Sequence, residues 1–189
     1  MKRVKLIVAY DGTNYCGWQV QPNGLAVQEV VNRCLSQLLR EDISVIGASR
    51  TDAGVHALGN VCVFDTHSRM PAEKISLALN TYLPPDIRIQ DSCQVPEDFH
   101  PRFQNTIKAY EYRIYNRKFP DPPNGCIHFL LLSSGCEKCA GEPRIWWANT
   151  ISAAFPPQSR GVDNTVRTIY SLEVSRSADD VITLRITGN

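Results

Sequence analysis

The chain has 189 residues, of which 43% are hydrophobic, 21% charged and 8% aromatic, enough apolar material for one ordinary domain or two small ones and unlike a disulfide-stapled miniprotein. No apolar run approaches the roughly 18 residues of a membrane span, so membrane residence is not expected. Twenty basic residues against nineteen acidic ones leave a formal charge of +1, and the bulk attraction exerted by many nucleic-acid binders is absent from that total.

The N-terminus, Met1-Lys2-Arg3-Val4-Lys5-Leu6-Ile7-Val8, is basic and then apolar, and it reaches Asp11-Gly12 without a small-residue cleavage pattern. Residues 1–10 therefore read as a strand rather than a signal peptide, and the expected compartment is the cytoplasm. Asp11-Gly12-Thr13-Asn14 supplies turn chemistry. From Val27 onward Val27, Val30, Val31, Cys34, Leu35, Leu38 and Leu39 keep one apolar stripe of a helix toward a core. Residues 43–48 and 60–66 read as strands around the polar segment 49–59. Pro71 opens a second helix to about Tyr82, and Leu83-Pro84-Pro85 stops it.

A strand follows at 87–95. Residues 106–116 then alternate, with Tyr110, Tyr112 and Ile114 on one face and Ala109, Glu111, Arg113 and Tyr115 on the other. The order over residues 1–118 is β-α-β-β-α-β, an α+β, ferredoxin-like arrangement in which two helices cover one face of an antiparallel sheet and leave the other face open. Residues 119–161 lose this regularity. Order returns in 162–189, where 165–175 and 181–187 read as a hairpin that starts an incomplete second half.

Seven cysteines, at 16, 34, 62, 93, 126, 136 and 139, form an odd and scattered set, so reduced thiols are expected. Cys136 and Cys139 have the only paired spacing. A tetrahedral zinc site needs a second pair or matching histidines, and no metal is expected.

The chemistry concentrates in Ser49-Arg50-Thr51-Asp52-Ala53-Gly54-Val55-His56-Ala57. A carboxylate lies two residues from an arginine in a loop between strands, followed by a glycine where backbone can approach closely. The plain alternatives are an Asp52 that only caps the turn and an Arg50 in a loop salt bridge.

This segment resembles the Gly-Arg-Thr-Asp-Ala-Gly-Val-His-Ala signature of the TruA family of tRNA pseudouridine synthases, with Ser49 in place of the first glycine. Similar matches occur in family order at Tyr10-Asp11-Gly12-Thr13, Gly17-Trp18-Gln19, Val27-Gln28-Glu29, Asn80 with Leu83-Pro84 and Asp86-Ile87, Phe99-His100 with Arg102-Phe103, Tyr110 through Asn116, and Thr165 through Ile169. The resemblance implies conversion of uridine to pseudouridine in the anticodon stem-loop, at tRNA positions 38 to 40, with no metal or organic cofactor. By the same resemblance Asp52 is the catalytic residue, either attacking C1′ or taking the 2′ proton to give a glycal. Arg50 is expected to favour the ionised carboxylate and hold the everted nucleotide. Tyr110 matches the tyrosine that stacks on the target base, while Arg102 and His56 match RNA-proximal positions. The partner implied is tRNA, bound by a homodimer.

Two departures from the family stand out. Family members continue past the equivalent of Gly188-Asn189 into a Phe-Leu-x-x-Met-Val-Arg stretch whose arginine partners the catalytic aspartate, so a truncated second half is expected. Residues from about 126 to 161 also depart. The family octapeptide Gly-Glu-His-Asp-Phe-Ser-Ser-Phe, encoded as GGC GAA CAC GAT TTC AGC AGC TTT and read one base later, spells Ala148-Asn149-Thr150-Ile151-Ser152-Ala153-Ala154-Phe155. The expectation is a stretch read out of frame, and sequencing the gene without finding compensating single-base shifts would dismiss it. Two other readings stand beside the isomerase: a catalytically impaired tRNA-binding fragment, and an α+β module for some other ligand.

Overall fold

Strand β1 (Lys2–Tyr10) alternates along its length, with Val4, Leu6, Val8 and Tyr10 turned into a core and Lys5, Ile7 and Ala9 part exposed on the other face. The structure is a computed structural model and describes residues 1–103, 107–115, 168–177 and 181–188. The chain divides into two compact units, Met1–Gln104 and Asn105–Asn189.

In the first unit, β1 is followed by α1 (Val27–Leu39), β2 (Ile46–Gly47), β3 (Ala57–Thr66), α2 (Ala72–Leu79) and β4 (Ile87–Val95). The sheet order is β2-β3-β1-β4. β1 is central and antiparallel to both neighbours, with Leu6 opposite Cys62 on β3 and opposite Ser92 on β4. The inward residues of β1, with Cys62, Phe64, Ile87 and Ile89, share one core with Val27, Val30, Val31, Cys34 and Leu35 of α1 and Ala72, Ile75 and Leu79 of α2. Both helices therefore cover one sheet face, as the helical stripe predicts. Burial pushes the Cys62 thiol up to about 12, consistent with an inert packing residue.

Two element boundaries differ from those expected. The strand read over 43–48 shrinks to two residues because α1 takes its donors: Ile43 N–H donates to Ser36 Oγ at 2.9 Å and Val45 N–H to Asn32 Oδ1 at 2.9 Å. The second helix ends at Leu79 rather than near Tyr82. Asn80 turns to the sheet there, donating from Nδ2 to Ile89 O at 2.9 Å and accepting Ile89 N–H at 2.8 Å.

The second unit holds β5 (Lys108–Tyr115), β6 (Ile169–Arg176) and β7 (Val181–Gly188), antiparallel in the order β5-β7-β6. The expected hairpin is present as β6 and β7. β5, which the sequence pattern groups with residues 1–118, pairs with β7. Residues 116–167, including Cys136, Cys139, Trp146, Trp147 and the stretch read as out of frame, lie outside the described residues.

Candidate active site

The segment between β2 and β3 is held from beneath by the segment that follows β1. Trp18 N–H donates to Thr51 O at 3.1 Å, and Gly54 N–H donates to Tyr15 O at 3.2 Å. From β3, Asn60 Nδ2 donates to Ser49 O at 3.2 Å. Val55 N–H closes a turn onto Asp52 O at 3.2 Å, with Gly54 at φ 77° in the left-handed region that such a turn requires. The two segments lie so close that a Cβ on Gly17, itself at φ +89°, would stand 2.4 Å from Thr51 O, and one on Gly12 would stand 2.0 Å from Val55 O.

On this fixed backbone Arg50, Asp52 and Ala53 are exposed while Thr51 is partly buried. The Thr51 hydroxyl lies 2.8 Å from the Tyr10 hydroxyl. Among the described residues neither Arg50 nor Asp52 takes part in an ion pair, and the Asp52 carboxylate makes no hydrogen bond. The loop salt bridge and the turn-capping aspartate are thus not what this loop builds. Both side chains stand at the surface. What the loop offers is a carboxylate and a guanidinium presented outward from an anchored backbone.

His56 is tied to the turn after β1. Its Nδ1 accepts the Gly12 N–H at 3.2 Å and lies 3.0 Å from Asp11 Oδ1. The Asp11 carboxyl is held below the ordinary carboxylate range, first by the Thr13 hydroxyl and amide, with His56 adding to the effect. An open depression of about 370 Å³ meets the loop at His56 rather than at Asp52, with Tyr10, Asp11, Leu58, Asp86 and Arg88 among its lining. Arg102 is exposed, but its Nε donates to Gly47 O at 3.0 Å, which places it at the end of β2 just before the loop. Arg50, Asp52 and His56 thus sit in the connection between β2 and β3, and Arg102 bonds to the end of β2. Tyr110 belongs to the second unit. It sits on β5 opposite Ile186 and is 50% exposed.

Sequence reasoning missed Tyr10, Gly12 and Gly17 as supports of the loop. The turn at Gly12 is visible locally, but that the two segments touch is a tertiary fact. No group of three or more His, Cys, Asp or Glu among the described residues is placed to hold a metal ion.

A family model described as tRNA pseudouridine synthase matches residues 6–104. Among curated proteins, a tRNA pseudouridine synthase A of Acetivibrio thermocellus is 52% identical, over 100% of this chain and 78% of the relative. One of Ruminiclostridium cellulolyticum is 42% identical over the same shares. A third, of Geotalea daltonii, is 38% identical over 96% of this chain and 75% of its own length.

Proposed function

Since the chain belongs to the tRNA pseudouridine synthase family, an isomerase family acting on tRNA uridine, we propose that Asp52 is the residue through which it works. The reaction breaks the N1–C1′ bond, turns the uracil and joins C5 to C1′. The proton leaves C5 and N1 gains one, so product and substrate are isomers. Breaking the bond develops positive charge at C1′, and a carboxylate answers it by covalent attack or by removing the 2′ proton.

The observation that carries the reading is the Asp52 carboxylate itself, exposed on a backbone pinned at Ser49, Thr51 and Asp52 and free of any ion pair among the described residues. Arg50, exposed two residues away, supplies a donor fork for a backbone phosphate. Arg102 adds a second cation at the start of the loop, His56 contacts RNA from the Gly12 turn, and Tyr110 stacks on the target base.

The same reading includes the anticodon stem-loop as the target, tRNA bound by a homodimer in the cytoplasm, and residues 1–118 as a ferredoxin-like catalytic half followed by the start of a second half. Its support is the family resemblance together with the β2-β3-β1-β4 order of the first sheet. Among the described residues no helix is long and apolar enough to cross a membrane. The test is tritium release from tRNA labelled at uridine C5. Release from unmodified transcript, lost when the anticodon-stem uridines are replaced by cytidine, is expected. Undiminished release from the replaced transcript would contradict the target assignment, and no release from either would contradict the activity.

A further inference from the structure

We infer that the paired hydroxyls of Tyr10 and Thr51 position the Asp52 carboxylate for reaction. The inference rests on the reading of Asp52 given above. Of residues 50 to 53, Thr51 alone is not exposed. Its side chain reaches inward and meets the Tyr10 hydroxyl at 2.8 Å, while its carbonyl accepts Trp18 N–H at 3.1 Å. Side chain and main chain of one residue are therefore held from two directions.

The anchor is rigid. Tyr10 is 4% exposed at the end of the central strand, and its ring lies against Trp18 with centroids 5.8 Å apart. Burial pushes the Tyr10 phenol above its ordinary value, so it stays protonated across the working pH range and keeps a directional bond to offer. A branched side chain such as threonine has few χ1 states, and fixing its hydroxyl fixes the orientation of the next peptide. That peptide carries Asp52. An exposed carboxylate with no partner of its own among the described residues gains its placement from the backbone, and misplacement by about 1 Å is enough to cost roughly 100-fold in rate.

The test compares Tyr10→Phe, Thr51→Val, Thr51→Ser and the double variant Tyr10→Phe/Thr51→Val, with Asp52→Asn as reference. Four quantities are read: single-turnover tritium release, tRNA Kd, thermal midpoint, and amide exchange at Gly54 and Val55. Tyr10→Phe and Thr51→Val should each slow release by about 10- to 100-fold and speed exchange at Gly54 and Val55, with Kd and thermal midpoint little changed. Thr51→Ser should restore most of the rate. The double variant should be no slower than Tyr10→Phe by more than about twofold, since Tyr10→Phe already removes the shared bond to Thr51 together with the Tyr10 contact to Asn60. Wild-type rates in both single variants while Asp52→Asn is inactive would overturn the positioning role alone. Full release by Asp52→Asn would instead overturn the reading of Asp52. Exchange needs no turnover, and unchanged protection in both single variants would also overturn the positioning role.

Discussion

At the scale of single residues, the loop bearing Asp52 depends on what is missing beneath it as much as on what is bonded to it. Gly17 combines a positive φ with a neighbouring carbonyl that leaves no room for a methyl group. Gly17→Ala should therefore lower stability by about 1–3 kcal/mol and also slow turnover, because relief of the clash displaces Thr51 and Asp52. Gly59→Ala is the matched control: its added Cβ would lie 3.6 Å from Ile7 Cγ2, an ordinary contact. Thermal unfolding of the two variants side by side checks the expectation, and equal midpoints would remove the close approach as a constraint. Gly12 is legible as a turn residue and Gly17 as part of a family match, but neither as a contact of the distant β2–β3 loop, because local patterns carry no information about which segments meet.

At the scale of elements, β1 and β3 are joined by a two-pronged ion pair, Arg3 Nε to Asp65 Oδ1 at 2.8 Å and Arg3 Nη2 to Asp65 Oδ2 at 2.7 Å. Arg3 Nη1 also donates to Phe99 O at 3.1 Å, tying down the segment that leads to Arg102. The hydrogen bonds from Arg3 hold the Asp65 carboxyl below its ordinary value. A depressed folded pKa means that the contribution is present above the unfolded value near 4 and is lost as pH falls through the folded one. Asp65→Asn should thus lower stability by roughly 0.5–1 kcal/mol at neutral pH, the modest size reflecting partial exposure of the pair. The deficit relative to wild type should shrink below about pH 4. A deficit independent of pH would assign the loss to packing rather than to charge.

Elements also show where sequence reading works. The stripe of α1 and the alternation of β1 are local periodicities, and the bounds expected for 87–95 are those observed. The short β2 and the early end of α2 come from side chains, Asn32, Ser36 and Asn80, that capture backbone groups across space. Such competition has no signature in hydrophobic period.

At the scale of the whole molecule, the second unit follows the same alternation, with β5 paired to β7. The register puts Tyr110, Ile186 and Leu172 in one row and Tyr112, Leu184 and Val174 in the next, all on one face. The opposite face sets Glu111, Arg185 and Glu173 side by side, charges of alternating sign across three strands. The two faces of β5 were legible from sequence, but its place beside β7 was not, since strand pairing over such a separation is decided by the whole sheet. The candidate site was legible for another reason: Arg50, Thr51, Asp52, Gly54 and His56 sit in one short run whose resemblance to a family is specific. What sequence could not give was the support under that run, from Tyr10, Gly12, Gly17 and Asn60.

The central claim is that one surface carboxylate carries the isomerisation, and its most direct test is single-turnover tritium release by Asp52→Asn alongside wild type, with tRNA affinity measured on the same preparations. Wild-type release that falls by at least about a thousandfold in the variant, with Kd within about threefold of wild type, is the predicted result. Release from Asp52→Asn at the wild-type rate would contradict it.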